Sequence, residues 1–146
     1  MRRHTSFSTG NCLALFLGAC LLGCYWLQYD KLMRTHVTLL LAMADKMIDL
    51  LERGEPISAA AMAEFTYPLT RARDFTRIAA KRYATRPSLR AFSHFLDTYG
   101  AVVQEMDRLR LQTTTNSLPL THFRQLVKAL QQEAQRVVRL LTQKGG

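Results

Sequence analysis

Two stretches of this chain place apolar side chains at steps of 4, 3, 4, 3 and 4. The first is Met33, Val37, Leu40, Ala44, Met47 and Leu51; the second is Phe123, Val127, Leu130, Ala134, Val137 and Leu141. A helix of about 3.6 residues per turn gathers such a set on one face, whereas a strand would throw alternate members to opposite sides. Each stretch therefore reads as a long amphipathic helix that must bury its stripe against other helices.

The chain between them reads the same way. Leu41 and Ile48 thicken the first stripe, Gly54 supplies a C-terminal stop, and Glu55 with Pro56 begins a turn. Ser58 is a helix cap, and Pro68 is expected to kink or split the helix that follows, because it lacks the backbone donor. The continuation is expected to bury Leu69, Ala72, Phe75, Ile78 and Ala79 and to end near Thr85 to Pro87. A third stripe comprises Phe92, Phe95, Tyr99, Val102, Met106 and Leu109, joined by Leu89, Leu96 and Val103. Thr113 to Ser117 is a polar turn before the fourth helix. No segment alternates as a strand does, and no internal repeat is present. The expected fold is all-α. An N-terminal transmembrane helix continues into an antiparallel four-helix bundle, with helices over about 30–53, 58–84, 87–112 and 118–143. Heptad stripes are equally compatible with coiled-coil packing against a second chain.

Ahead of this 30–146 domain stand a short basic tail, 1–11, and 18 uncharged residues from Cys12 to Tyr29. As a helix those residues span roughly 27 Å, close to the bilayer hydrocarbon core of about 30 Å. Tyr25, Trp26 and Tyr29 lie at the downstream end, where amphipathic rings settle among headgroups. "LGAC" and "LLGC", ending at Cys20 and Cys24, resemble the lipobox of bacterial lipoproteins, which implies lipidation at one of those cysteines. However, a lipoprotein continues from its cysteine into a polar tether, and Cys24 runs into "YWLQY" and then a helical stripe. A retained anchor is the favoured reading over lipidation or signal cleavage. Gly10, Ala14 and Gly18, with Ala19 and Gly23, place small residues at four-residue spacing, which permits close helix approach in lipid. Arg2 and Arg3 favour a cytoplasmic N-terminus; Lys31 and Arg34 on the other flank nearly balance them, but a short basic tail before a first apolar helix usually stays inside. That puts the domain outside the inner membrane, in the periplasm of a Gram-negative bacterium; the mitochondrial inner membrane suits the same basic, acid-free start.

The 146 residues carry 20 basic and 11 acidic side chains, a net charge of +9. The excess favours anionic partners without choosing among them. All three cysteines lie in the apolar segment, so the helical domain has neither a disulfide framework nor a cysteine zinc site. Charge concentrates in "RARDFTRIAAKRYATRPSLR", where Arg71, Arg73, Arg77, Lys81, Arg82, Arg86 and Arg90 face one acid, Asp74. Arg73, Arg77 and Lys81 recur every four residues and form a stripe able to hold an acidic helix, an anionic ligand or lipid phosphates. The fourth helix adds Arg124, Lys128, Arg136 and Arg139 against Glu133. Phe75 and Tyr83 lie among the charges but are expected to face the core, which makes nucleic acid a lesser candidate.

Catalytic signals are absent. His4, His36, His94 and His122 stand singly, none with a glutamate three residues before it, so the di-iron bundle pattern is missing. His94 has Asp97 at i+3, the spacing of a surface pair. The His-x-x-Lys-Gly pattern of histidine phosphotransfer bundles is also absent, as are a phosphate loop and a nucleophile elbow. No catalytic residue, cofactor or metal is expected. The reading is a single-pass membrane-anchored accessory or scaffold subunit that binds other membrane or envelope proteins, or itself, through its helices. Two alternatives stand beside it. One is an extracytoplasmic ligand-sensing bundle that reports through a partner; in general shape it resembles the ligand-binding domains of bacterial chemoreceptors. The other is a cytoplasm-facing basic protein that binds anionic lipid or nucleic acid.

Overall fold

A computed structural model describes the backbone of residues 9–111 and 117–143, and the side chains of 27–111 and 120–143. Four helices carry the described residues, with no strand among them: α1 (Thr9–Arg53), α2 (Ala59–Tyr83), α3 (Pro87–Leu111) and α4 (Ser117–Thr142). The chain divides into two compact units, Met1–Leu32 and Met33–Gly146. The small-residue positions Gly10, Ala14, Gly18, Ala19 and Gly23, and the cysteines Cys20 and Cys24, have side chains outside the described residues. So does most of the anchor expected at 12–29. Among the described residues, no helix is long and apolar enough to cross a membrane.

Within the second unit, local chemistry sets the helix ends. Gly54 adopts φ 63°, and its N–H donates to Leu51 while Glu55 N–H donates to Leu50, closing the last turn of α1. That left-handed cap is the conformation glycine adopts without steric cost. The Ser58 hydroxyl accepts from Ala61 N–H at 3.1 Å and caps α2. Pro87 occupies the first position of α3, where its missing donor costs nothing.

Of the two outcomes expected at Pro68, a kink or a split, the split does not occur: α2 runs through it as one helix. The carbonyl deprived of a partner is that of Glu64, one turn back, and Glu64 is an exposed residue, a position at which a backbone carbonyl is able to bond to solvent. Thr66 and Thr70 hydroxyls donate to the carbonyls four residues before them, at 2.8 and 3.3 Å.

The helices run antiparallel to their neighbours around one core. Late α1 meets early α2 through Lys46 and Glu64 (2.7 Å), and early α4 meets late α1 through Arg124 and Glu52 (2.6 Å). Helix α3 packs on both α2 and α4. Met33, Val37, Leu40, Ala44 and Met47 are buried on α1, and the whole expected stripe of α4 is buried. On α3 the interior set includes Phe92, Phe95, Leu96, Tyr99, Val102 and Met106. The Tyr99 hydroxyl donates to the Phe65 carbonyl at 3.1 Å, giving this buried polar group a partner. Burial pushes its phenol pKa upward. Near Met33 the core becomes aromatic: His36 lies 5.4 Å from Phe75 and 6.2 Å from Phe92, and Phe92 stacks on Phe95. Ile78 is the correction here. It was expected inside, yet it is 56% exposed.

Candidate functional site

Helix α2 buries Met62, Phe65, Leu69, Ala72 and Ala79. At about 100° per residue, Tyr67 and Ile78 point diametrically away from that face, only about 20° apart. Tyr67 is 65% exposed, so an aromatic and a branched aliphatic side chain stand together on the outermost line of the helix. Arg71, Lys81 and Arg82 flank them, all exposed, and no carboxylate among the described residues lies within ion-pair distance of any of the three. Asp74, also on this line, is held by Arg77 at 3.1 Å. Singly exposed hydrophobes need no explanation; here two share a line with three cations.

The seven basic residues of the sequence are therefore not one surface. Arg73 turns aside to α3 and lies 3.7 Å from Asp97. A Cβ on Gly100 would come within 3.0 Å of its guanidinium, so the glycine leaves Arg73 room to cross the helix. Asp97 thus pairs across helices with Arg73, the interhelical contact at the position where sequence spacing placed a His94 pair. Both side chains are more than half exposed, and such a pair contributes about 0–1 kcal/mol. Arg86 is half-buried, its guanidinium 5.6 Å from the centre of the Tyr83 ring. Tyr83 and Phe75 are likewise half-buried, not core members.

Arg90 belongs to a different place. It donates to the Thr85 carbonyl at 3.3 Å and lines a groove of about 450 Å³ between early α3 and late α4. Arg136, Arg139, His94 and Gln143 complete the polar lining, with Pro87, Ala91 and Leu140 as its apolar part. Glu133 approaches Arg136 only at 3.9 Å. Among the described residues no carboxylate pairs with Arg90 or Arg139.

His36, which stood alone in the sequence, joins the aromatic cluster near Met33. Desolvation lowers its pKa, and the charge of Arg71 lowers it further. Among the described residues no group of His, Cys, Asp or Glu is placed to hold a metal ion.

Charge is divided along the bundle. His36 beside Phe75 and Phe92, and the α3–α4 groove, gather 33–41, 71–97 and 133–143 at one end. That end holds ten basic and three acidic side chains; the remainder, 42–70, 98–111 and 120–132, holds six basic and seven acidic. Sequence reasoning located the run on α2. It missed Tyr67 and Ile78 as outward residues, although angular arithmetic from Leu69 and Ala72 places both opposite the core. The α3–α4 groove had no linear signal, because its arginines come from segments about 46 residues apart that only antiparallel packing brings together. No protein family, characterised protein or solved structure matches this chain.

Proposed function

We propose that the protein is a single-pass membrane-anchored accessory subunit whose helical domain binds another protein through the outward face of α2. The observation that carries this reading is the line of Tyr67 and Ile78 between the cations Arg71, Lys81 and Arg82. Binding energy concentrates on aromatic and arginine side chains that a partner can desolvate, and α2 presents both beside an aliphatic residue. The matching partner surface is an apolar groove rimmed by aspartate and glutamate. Acidic rims would steer the encounter and fix its register, and the apolar pair would supply the contact that excludes water.

The anchor is residues 12–29, on the strength of their length, lack of charge and downstream aromatic residues. Arg2 and Arg3 place the domain on the side opposite the cytoplasm, the periplasmic face of an inner membrane. The small residues from Gly10 to Gly23 allow the anchor to pack against other membrane helices.

The test is gentle extraction of the C-terminally tagged full chain, followed by intact mass spectrometry of the chain and its companions. A full-length mass with a stoichiometric companion is expected. Arg71→Glu combined with Ile78→Asp should lower companion recovery about tenfold or more, because each loss of about 1.4 kcal/mol is a factor of ten. Circular dichroism should be unchanged, since both side chains face outward. Undiminished recovery by the folded variant would remove this face from the account, and a mass beginning at an acylated Cys20 or Cys24 would remove the anchor.

A further inference from the structure

The α3–α4 groove lies outside the α2 face and calls for a ligand of its own. Three guanidinium groups, Arg90, Arg136 and Arg139, converge on it with the His94 imidazole, and one carboxylate, Glu133, stands at its margin. Like charges gathered without compensation weaken a fold, so their convergence is better matched to an anion than to the bundle's own needs. Guanidinium is the side chain suited to phosphate, offering paired donors in a planar fork. The apolar part of the lining, Pro87, Ala91 and Leu140, admits the carbon skeleton of an ester. A volume of about 450 Å³ accommodates a phosphate ester with its substituents, within the range of small-ligand sites of about 300–1,000 Å³.

Position identifies the source of the phosphate. The groove opens at the end of the bundle where the chain enters it, at Met33, four residues after Tyr29. The same end carries the ten-to-three basic excess. We propose that this end rests on the anionic surface of the membrane holding the anchor, with Arg90, Arg136 and Arg139 taking the phosphate of a phospholipid headgroup. The proposal rests on reading 12–29 as the anchor. Each basic side chain near an anionic surface contributes about 1 kcal/mol of attraction. Docking through this end would leave the middle of α2, Tyr67 to Ile78, clear for a protein partner.

The experiment uses the full chain in lipid nanodiscs of phosphatidylcholine alone or mixed with phosphatidylglycerol. Emission of the single tryptophan, Trp26, reports insertion of the anchor, and native mass spectrometry reports lipid retained after ejection. The expected result is a blue-shifted Trp26 and selective retention of phosphatidylglycerol. Retention should fall about tenfold in Arg136→Gln with Arg139→Gln, fall less in Arg90→Gln, and persist in Lys128→Gln at the opposite end. An inserted chain with no preference for phosphatidylglycerol, or a double variant that keeps it, overturns the proposal. Retention of inorganic phosphate added to phosphatidylcholine discs, undisplaced by phosphatidylglycerol, would assign the groove to a soluble anion and overturn the lipid source. If Trp26 shows no insertion, the anchor reading fails separately. Flotation of that same chain with phosphatidylglycerol vesicles that is lost in Arg136→Gln with Arg139→Gln would still support the groove, and flotation unchanged in that double variant, or no flotation, would overturn it.

Discussion

The two ends of the bundle share one core and differ in what lies on it. At the end away from Met33, nearly every charge is matched. Lys46 meets Glu64, Arg124 meets Glu52, Arg110 meets Asp107 at 2.8 Å, and Arg53 lies between Asp49 and Glu55. The Glu105 carboxylate, 11% exposed, accepts from the Arg108 guanidinium at 2.7 Å, and that hydrogen bond holds its pKa below the usual range. At the Met33 end the ion pairs include Arg73–Asp97, Arg77–Asp74 and the long Arg136–Glu133 contact. Fully buried side chains lie at both ends, Phe92 and Phe95 at one and Met106 and Phe123 at the other. Arg71, Lys81, Arg82, Arg90 and Arg139 have no carboxylate within ion-pair distance among the described residues.

The largest test of this comparison concerns the shared core. Phe92→Ala at the basic end and Met106→Ala at the matched end should each destabilise the bundle severely. The expected costs are about 3–5 and about 2–5 kcal/mol, read by denaturant unfolding of the full chain. Both side chains are fully buried. A cost below about 1 kcal/mol at Phe92 alone would mean that the aromatic cluster is not core, and that the ends differ in packing as well as charge.

A smaller effect is expected from pH, and between about pH 7 and 5 it belongs to the basic end. The His36 pKa is lowered in the folded protein, so the unfolded chain binds more protons as pH falls. The contribution of the neutral imidazole is complete above the unfolded value of about 6.5 and is lost as pH drops through the lower folded value. Stability should therefore decline from about pH 7 towards pH 5, and His36→Phe should flatten that slope. An unchanged slope in the variant would place the titration elsewhere. Next in size is Tyr99→Phe, expected to cost about 1 kcal/mol by removing the hydrogen bond to the Phe65 carbonyl. A neutral outcome would show that the carbonyl is satisfied by its helical partner alone.

The smallest effects separate the ends by their ion pairs. A double-mutant cycle on Glu52 and Arg124 should return about 0.2–1 kcal/mol of coupling, the ordinary value for an exposed pair. The same cycle on Arg73 and Asp97, at 3.7 Å and mostly exposed, should return less. A larger coupling at Arg73 would mean that the basic end does rely on its charges.

Much of this architecture was readable because helix periodicity is a local property. The stripes of α1, α3 and α4, the Ser58 cap and the Gly54 stop each follow from residues within a few positions of one another. Where the reading erred, it followed residue type in place of angle. Ile78 is apolar and sits in an apolar run, yet it lies opposite Leu69 and Ala72, and nothing in the bundle covers it. Pro68 was expected to kink or split α2, and α2 is unsplit, one missing donor being too little to end a helix whose other turns are intact. The α2 charge run was visible, but its division among Asp97, Tyr83 and the α3–α4 groove depends on neighbours far away in sequence. Charge segregation between ends was half visible, since seven of the ten basic residues of that end lie in the Arg71–Arg90 run, and antiparallel topology adds Arg34, Arg136 and Arg139 to it.

The central claim is that the cations of the basic end are dispensable for folding. Thermal unfolding of the full chain in detergent, native against Arg71→Gln, Lys81→Gln, Arg82→Gln and Arg139→Gln combined, tests it most directly. The account predicts a midpoint equal to or above that of the native chain, because neutralisation relieves repulsion and breaks no ion pair among the described residues. A midpoint lower by about 4 °C or more, roughly 1 kcal/mol for a domain of this size, would show that those cations hold the bundle together and contradict the account.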